Sequence, residues 1–309
     1  MRVWPLLALL MVAMMWGSHA VVGKAVEAEI SPDALTLYRF VFSALLYLPW
    51  WPKLAAVWQW SVKDKLLLLG AAISSSVLYP LFYYASLRHI SPVASLLFVN
   101  AAPLVAALLA RWMFAERIGW MGYVGMVVSF GGVLLLVINE WQGGLSTIGI
   151  IEVVLAMLAF SIYTVLSKPL FVKANLFDVL VGTTVLGAVF LCVILPFFHP
   201  LQFYWYTLVH LGFTGWWELG YIVLIVSMTA YALYGFGLRR VPGGIAAAIT
   251  FYPQAVFGAL LQWLWFGLQP AIGLVFSAVL ILGGTALMRY SELRSKKMEK
   301  AVVNKAQAM

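Results

Sequence analysis

Two ionisable side chains stand inside long apolar runs of this chain. Arg39 lies in the run 33–52, six residues after Asp33, or about 9 Å along a helix. His19 lies in the run 3–24, three residues after Trp16 and on the same helical face. A guanidinium in such a run needs an anion or a route to water. Arg39 either binds a substrate carboxylate or latches an outer gate, or it forms a structural ion pair with Glu27, Glu29, Asp33 or Glu218, or it snorkels to the outer headgroups. An imidazole titrates near neutrality. His19 therefore lines a cavity or shuttles protons, or else is held by a hydrogen bond to a neighbouring helix.

Other polar groups cluster around two prolines. Asn100 precedes Pro103 by one turn, and Thr250, Phe251, Tyr252 and Gln254 surround Pro253. Proline removes a backbone donor and bends a helix, which exposes carbonyls that a cavity or a partner must satisfy. These sites read as two midplane bends lining a binding site, or as two packing kinks. Tyr79 and Tyr83 share a face with Ser75 or Ser76, and Phe160 and Tyr163 form a second aromatic pair. Such rings suit a small amphipathic solute, and they equally suit packing. Gly125, Gly131, Gly132, Gly283 and Gly284 read as close helix contacts.

Catalytic patterns are absent. The chain has no P-loop, no metal-ligand spacing and no cofactor-binding pattern. The lone Cys192 excludes an intrachain disulfide and reads as a small buried hydrophobe. A lipophilic-cation pump would want a buried carboxylate, and only Glu218 and Glu152 come near a run, each close to an outer end.

Long apolar helices must position these residues. Of 309 residues, 64% are hydrophobic and 10% charged, far from the composition of a soluble domain. Ten apolar runs fall at 3–24, 33–52, 65–87, 92–114, 118–138, 147–171, 176–198, 215–238, 243–266 and 268–288. Each is close to the length that spans a bilayer, and none alternates like a membrane barrel strand. The first run also imitates a signal peptide ending at Ser18-His19-Ala20, but it is long and has an internal counterpart. The net charge of +8 suggests no nucleic-acid partner, because Arg289, Arg294, Lys296, Lys297, Lys300 and Lys305 form a juxtamembrane basic segment. With a cytoplasmic N-terminus, sixteen Lys and Arg fall inside and only Lys24 and Arg88 outside. The expectation is a multi-pass protein of the cytoplasmic membrane with both termini cytoplasmic and 139–146 and 199–214 outside.

The chain repeats itself. Leu87-Arg88-His89-Ile90 recurs as Leu238-Arg239-Arg240-Val241, Pro103 as Pro253, and Gly131-Gly132 as Gly283-Gly284. Trp16-Gly17-Ser18-His19 ending at Lys24 matches Phe160-Ser161-Ile162-Tyr163 ending at Lys168. The offsets are 151, 150, 152 and 144. Five spans per half make the second half enter from the opposite side, the inverted-repeat plan of secondary transporters. The predicted fold is all-α, with ten transmembrane helices in two inverted five-helix repeats, 1–140 and 145–290, and a basic tail 291–309.

The chain resembles the drug/metabolite transporter superfamily, specifically the EamA-type transporters. Trp16-Gly17 with Lys24, Tyr38-Arg39-Phe40, the stretch Tyr84 to Ser91, Pro103, and Glu116 followed by the glycine-spaced fifth span carry the resemblance. The second repeat departs from it with Phe266-Gly267 where the first has Glu116-Arg117. The resemblance implies export of small metabolites, amino acids foremost, with nucleotide-sugar or drug export as the second transport reading. From another class, a lipid scramblase or a non-transporting scaffold stays open. The expected partners are a small-molecule substrate, the lipid bilayer and coupled protons; nothing in the sequence indicates an oligomeric state.

Overall fold

The computed structural model describes residues 3–27, 29–114, 119–142, 146–238, 240 and 243–307. Glu116, Arg117 and Arg239 lie outside these residues. The side chains of Pro103, Tyr252, Gln142 and 295–307 are likewise outside the description.

Ten rods follow the ten apolar runs. They are α1 (Val3–Val26), α2 (Pro32–Leu46), α3 (Val62–Leu87), α4 (Pro92–Asn100 and Ala102–Phe114) and α5 (Trp120–Gln142). In the second half α6 is Thr147–Lys173, α7 is Leu176–Ile194, and α8 runs from Phe213–Tyr221 through Ile222–Thr229 to Ala230–Leu238. Finally, α9 is Gly243–Phe266 and α10 is Ile272–Gln307. Six of these rods, α1, α3, α4, α6, α7 and α8, are by themselves long and apolar enough to span a bilayer. Proline and serine start several of them. Ser31 and Ser91 cap α2 and α4 by accepting from the backbone N–H three residues on, with Pro32 and Pro92 at the first helical position.

Packing obeys the repeat. The second-half counterpart of each rod lies five numbers on, so α1 packing on α8 and α9 is matched by α6 packing on α3 and α4. The pairs α5–α10 and α2–α7 map onto themselves. Small residues set the α5–α10 contact. A methyl added at Gly125 would lie 2.5 Å from the Gly284 carbonyl oxygen, so neither position admits a side chain without separating the rods. Gly131 and Gly283, expected to be close contacts as well, face open space.

Two features repeat that the sequence reading did not single out. Residues Ile73–Leu78 of α3 and Ile222–Thr229 of α8 are π-helical. These insertions rotate the following turn and often mark functional positions. The connections α2–α3 and α7–α8 are also alike. Leu48-Pro49-Trp50-Trp51 opens a 3-10 segment, Leu48–Gln59, bent 69° from α2. Leu195-Pro196-Phe197-Phe198 opens the other connection, which continues as the short helix Leu201–Val209. Both expose large aromatic groups, Trp58 at one end of the bundle and Phe197 and Trp205 at the other, as interfacial straps do. Tyr204 ties the second strap down. Its hydroxyl donates to Asp33 Oδ2 at 2.9 Å, and Tyr38 Oη donates to the Tyr204 carbonyl at 2.6 Å. Burial, and then the bond to Asp33, raises the Tyr204 pKa and keeps the phenol a donor.

The helix α4 breaks at Ala101, two residues before Pro103, while α9 continues through Pro253 as one helix. The last rod, α10, runs on into the basic tail as far as Gln307, with no Pro or Gly to stop it after Gly284. One local expectation needs correction: Cys192 is exposed on α7 rather than buried.

Candidate functional site

Arg39, His19, Tyr84 and Ser227 meet where α2, α1, α3 and α8 converge. Arg39 is 5% exposed. Its Nε donates to Ser227 Oγ at 2.9 Å, and Nη1 donates to Tyr84 Oη at 2.9 Å and to His19 Nε2 at 3.1 Å. Tyr84 Oη and His19 Nε2 are 2.7 Å apart. Ser227 in turn donates to the Ile222 carbonyl, five residues back, at 3.0 Å. That bond needs the π-helical stretch, which therefore aims the Ser227 lone pairs at Arg39.

The expected anion is missing. Among the described residues no carboxylate lies within ion-pairing distance of Arg39. Glu27 pairs with Lys24, and Asp33 takes the Tyr204 hydroxyl. Glu29 lies against Gly212 and Gly215, at the first turn of α8. Glu218 lies one turn further on. The structural ion pair for Arg39 is thus replaced by three neutral acceptors and the Phe40 ring, 5.3 Å from the guanidinium carbon. Nη2 bonds to no described residue and keeps two N–H groups free. An intramembrane guanidinium offset only by dipoles costs several kcal/mol, with estimates from about 2.5 to above 10. Such a group remains receptive to an anion.

His19 has a defined role in this cluster. Arg39 can only donate, so Nε2 must carry the lone pair and the imidazole is neutral with its proton on Nδ1. Its ring stacks on Tyr83 at 5.4 Å, Tyr83 stacks on Tyr79 at 5.4 Å, and Tyr79 meets Phe160 at 5.2 Å. Tyr163 continues the series, 5.9 Å from Phe160. One turn before His19, Trp16 forms a second aromatic group, 5.3 Å from both Tyr231 and Tyr234 and 5.7 Å from Phe251. Tyr79, Tyr163 and Tyr231 are half-buried.

Asn100 and Gln254 lie apart from this cluster. Gln254 Nε2 donates to Asn100 Oδ1, linking α4 to α9 across the repeat axis. Asn100 Nδ2, Gln254 Oε1 and Thr250 Oγ1 are sealed from solvent and bond to no described residue. The neighbouring α1–α9 crossing is tight: a methyl at Gly17 would lie 2.5 Å from the Gln254 carbonyl oxygen. The Gln254–Asn100 bond ties α4 to α9 beside it in this conformation. Tyr84, Ser227, Tyr231 and Tyr234 were not among the sequence candidates. Two of them were legible through the repeat, since Tyr83 matches Tyr234 and Ser76 matches Ser227 at the offset of Leu87 and Leu238.

The comparisons with known proteins agree with this architecture. The chain is 25% identical over 211 residues to the uncharacterized transporter YdfC of Bacillus subtilis, covering 68% of this chain and 65% of the relative. It is 25% identical over 135 residues to the uncharacterized transporter sll0355 of Synechocystis, covering 41% and 39%. The chain thus spans less than two thirds of the length of these two relatives. An uncharacterized transporter of Archaeoglobus fulgidus is 22% identical over 291 residues, 91% of this chain and 95% of the relative. One solved crystal structure superposes with a TM-score of 0.60 at 18% identity, covering 93% of this chain and 98% of that one, which speaks to the fold alone. The family model described as the EamA-like transporter family matches twice, at residues 3–138 and 147–290. With ten rods packed by a two-fold rule and a family match to each half, the chain belongs to the EamA-like transporter family.

Proposed function

We propose that this protein is a secondary transporter that exports small metabolites, amino acids foremost, across the cytoplasmic membrane. It works by alternating access between its two repeats, 1–140 and 145–290, with both termini and the basic tail 291–309 in the cytoplasm. One observation carries the substrate reading. Arg39 is buried among neutral acceptors, and its Nη2 is free beside an aromatic wall. A carboxylate fits that fork in two parallel bonds, and the rings around His19 and Trp16 give the rest of the solute an apolar surface.

His19, Tyr79, Tyr83, Phe160 and Tyr163 form one side of this site, and Trp16 forms the other. Asn100, Thr250 and Gln254, with Tyr252 beside them, belong to the crossing that must move between states. A lipophilic cation fits poorly, because the buried charge here is positive. The test is solute counterflow in proteoliposomes with a set of amino acids and their amides. Saturable exchange of the acids and not the amides supports the reading; transport of lipids alone, without any water-soluble solute, sinks it.

A further inference from the structure

A second ionisable site lies at the end of the bundle away from the termini, where the end of α1 meets the start of α8. The repeat gives this crossing a counterpart. Lys24 matches Lys168, so Glu29 matches Lys173; Leu87 matches Leu238, so Asp64 matches Gly215. The N-caps confirm the second register, since Ser61 caps α3 and Gly212 caps α8. At the end of α6 and the start of α3, Lys173 Nζ sits 2.7 and 2.8 Å from the two oxygens of Asp64, a latch of opposite charges. At the equivalent crossing of α1 and α8 the cation is replaced by Glu29. Its carboxylate lies against the α8 face at Gly215, with Oε2 2.5 Å from where a methyl would be. Glu218 is one turn further along that face and is 5% exposed.

Glu218 has neither a hydrogen bond nor an ion pair among the described residues. The other charged and titratable groups of the packed elements are already engaged. Lys24 is held at 2.6 Å by both Glu27 and the Leu87 carbonyl. Asp33 accepts from Tyr204, with His199 at 3.9 Å, while Tyr38 donates to the Tyr204 carbonyl. His210 Nδ1 sits 2.9 Å from the Tyr206 carbonyl oxygen, and Tyr221 Oη is 2.6 Å from Ser18 Oγ. Glu29, seated against Gly215, is the charged group placed one turn from Glu218. An exposed carboxylate brought to the face that buries a second one repels it unless a proton lies between them.

We propose that Glu29 and Glu218 form a proton-binding carboxyl pair, the like-charged counterpart of the Lys173–Asp64 latch. A proton taken from the adjoining aqueous phase closes the α1–α8 crossing, and its release favours opening. The latch at the other end carries its own counter-charge and closes without a proton. Proton binding at one end of the repeat only would bias alternating access by pH. That consequence rests on the carrier reading; proton binding by the pair does not.

The experiment uses the full purified chain in detergent, without substrate. Melting temperature is measured between about pH 5 and 9 for the wild type, Glu218→Gln and Glu29→Gln. A folded state that holds the shared proton binds more protons than the unfolded chain, so stability falls as pH rises through the pair's titration. Wild type should therefore lose melting temperature on the alkaline side. Glu218→Gln should keep the acid-side value throughout, and infrared spectra should lose one protonated-carboxyl band. Glu29→Gln, altered at an exposed position, should remove the same pH-dependent part. Parallel pH profiles in wild type and both variants would overturn the proposal. So would a melting temperature set by sodium against choline at fixed pH, which would make the pair a metal-cation site. If the profiles behave as expected but no solute exchanges in proteoliposomes, the carrier reading fails and the proton site stands.

Discussion

Arg39 Nη1 donates to Nε2 of His19 across 3.1 Å, and this contact ties the charge of one residue to the protonation of the other. A protonated imidazole has no lone pair to offer and would face the guanidinium as a second cation. The pair therefore carries one positive charge, placed on Arg39.

The first prediction concerns that charge. Arg39→Met removes a buried cation with no carboxylate partner, so the ligand-free melting temperature should stay level or rise. Arg39→Lys keeps the charge and loses the planar fork. Its affinity for a carboxylate solute should fall about tenfold or more, roughly 1.4 kcal/mol, while affinity for the matching amide stays level. A large melting loss in Arg39→Met with an unchanged preference for acid over amide would remove Arg39 from the binding site.

His19 is separable from Arg39 by choice of substitution. In His19→Gln the amide oxygen still accepts from Nη1, so carboxylate affinity should remain near wild type. In His19→Leu the acceptor is lost and affinity should drop by about tenfold, the scale of a hydrogen bond to a charged group. Isothermal titration of a carboxylate solute reads the difference between the two variants; equal losses in both would leave His19 without a role as acceptor.

The crossing of α4 and α9 makes a prediction about coupling. Asn100→Leu or Gln254→Leu alone leaves a buried amide without its partner, a cost of about 1–3 kcal/mol. The double variant removes both and should be more stable than the sum of the singles implies, by about 0.5–3 kcal/mol. Transport should fall in all three, because an apolar crossing loses its polar register. Additive stabilities with normal transport would show that the Gln254–Asn100 bond does no work.

Close approach is tested at Gly17 and Gly125. Valine at either position must displace backbone, the Gln254 carbonyl in one case and the Gly284 carbonyl in the other. Overpacking of this kind costs about 1–3 kcal/mol or more. Gly131→Val and Gly283→Val, which meet nothing within 4 Å, should be tolerated. Thermal melting of the four variants decides the matter, and equal losses in all four would contradict the packing.

Topology is tested with cysteines in a Cys192→Ala background. Gln202→Cys on the second strap should react with an impermeant maleimide in intact cells. Gln59→Cys on the first strap should react only after permeabilisation. The same labelling pattern at both positions would break the ten-span arrangement.

Much of the fold could be read along the chain, and the division follows from physics. Charges are so few that ten apolar runs stand out in one dimension, and matched offsets reveal the repeat without any contact map. Arg39 and His19 were identifiable because an ionisable group in such a run is costly wherever it points. Which way it points was not legible. Lipid tails and protein interior are about equally apolar, so hydrophobic periodicity does not mark the inward face of a membrane helix. Four acids within chain reach were thus plausible partners for Arg39. The actual ones, Tyr84 and Ser227, come from helices that only packing brings to α2. The π-helical turns are a second reason: they shift the register of α3 and α8 midway, so spacing counted along a regular helix misplaces Ser76 and Ser227. Cys192 reads as buried by type and lies exposed, since a thiol costs little against lipid. The sequence alone determined how many helices there are and which residues are expensive; tertiary structure decided what those residues hold.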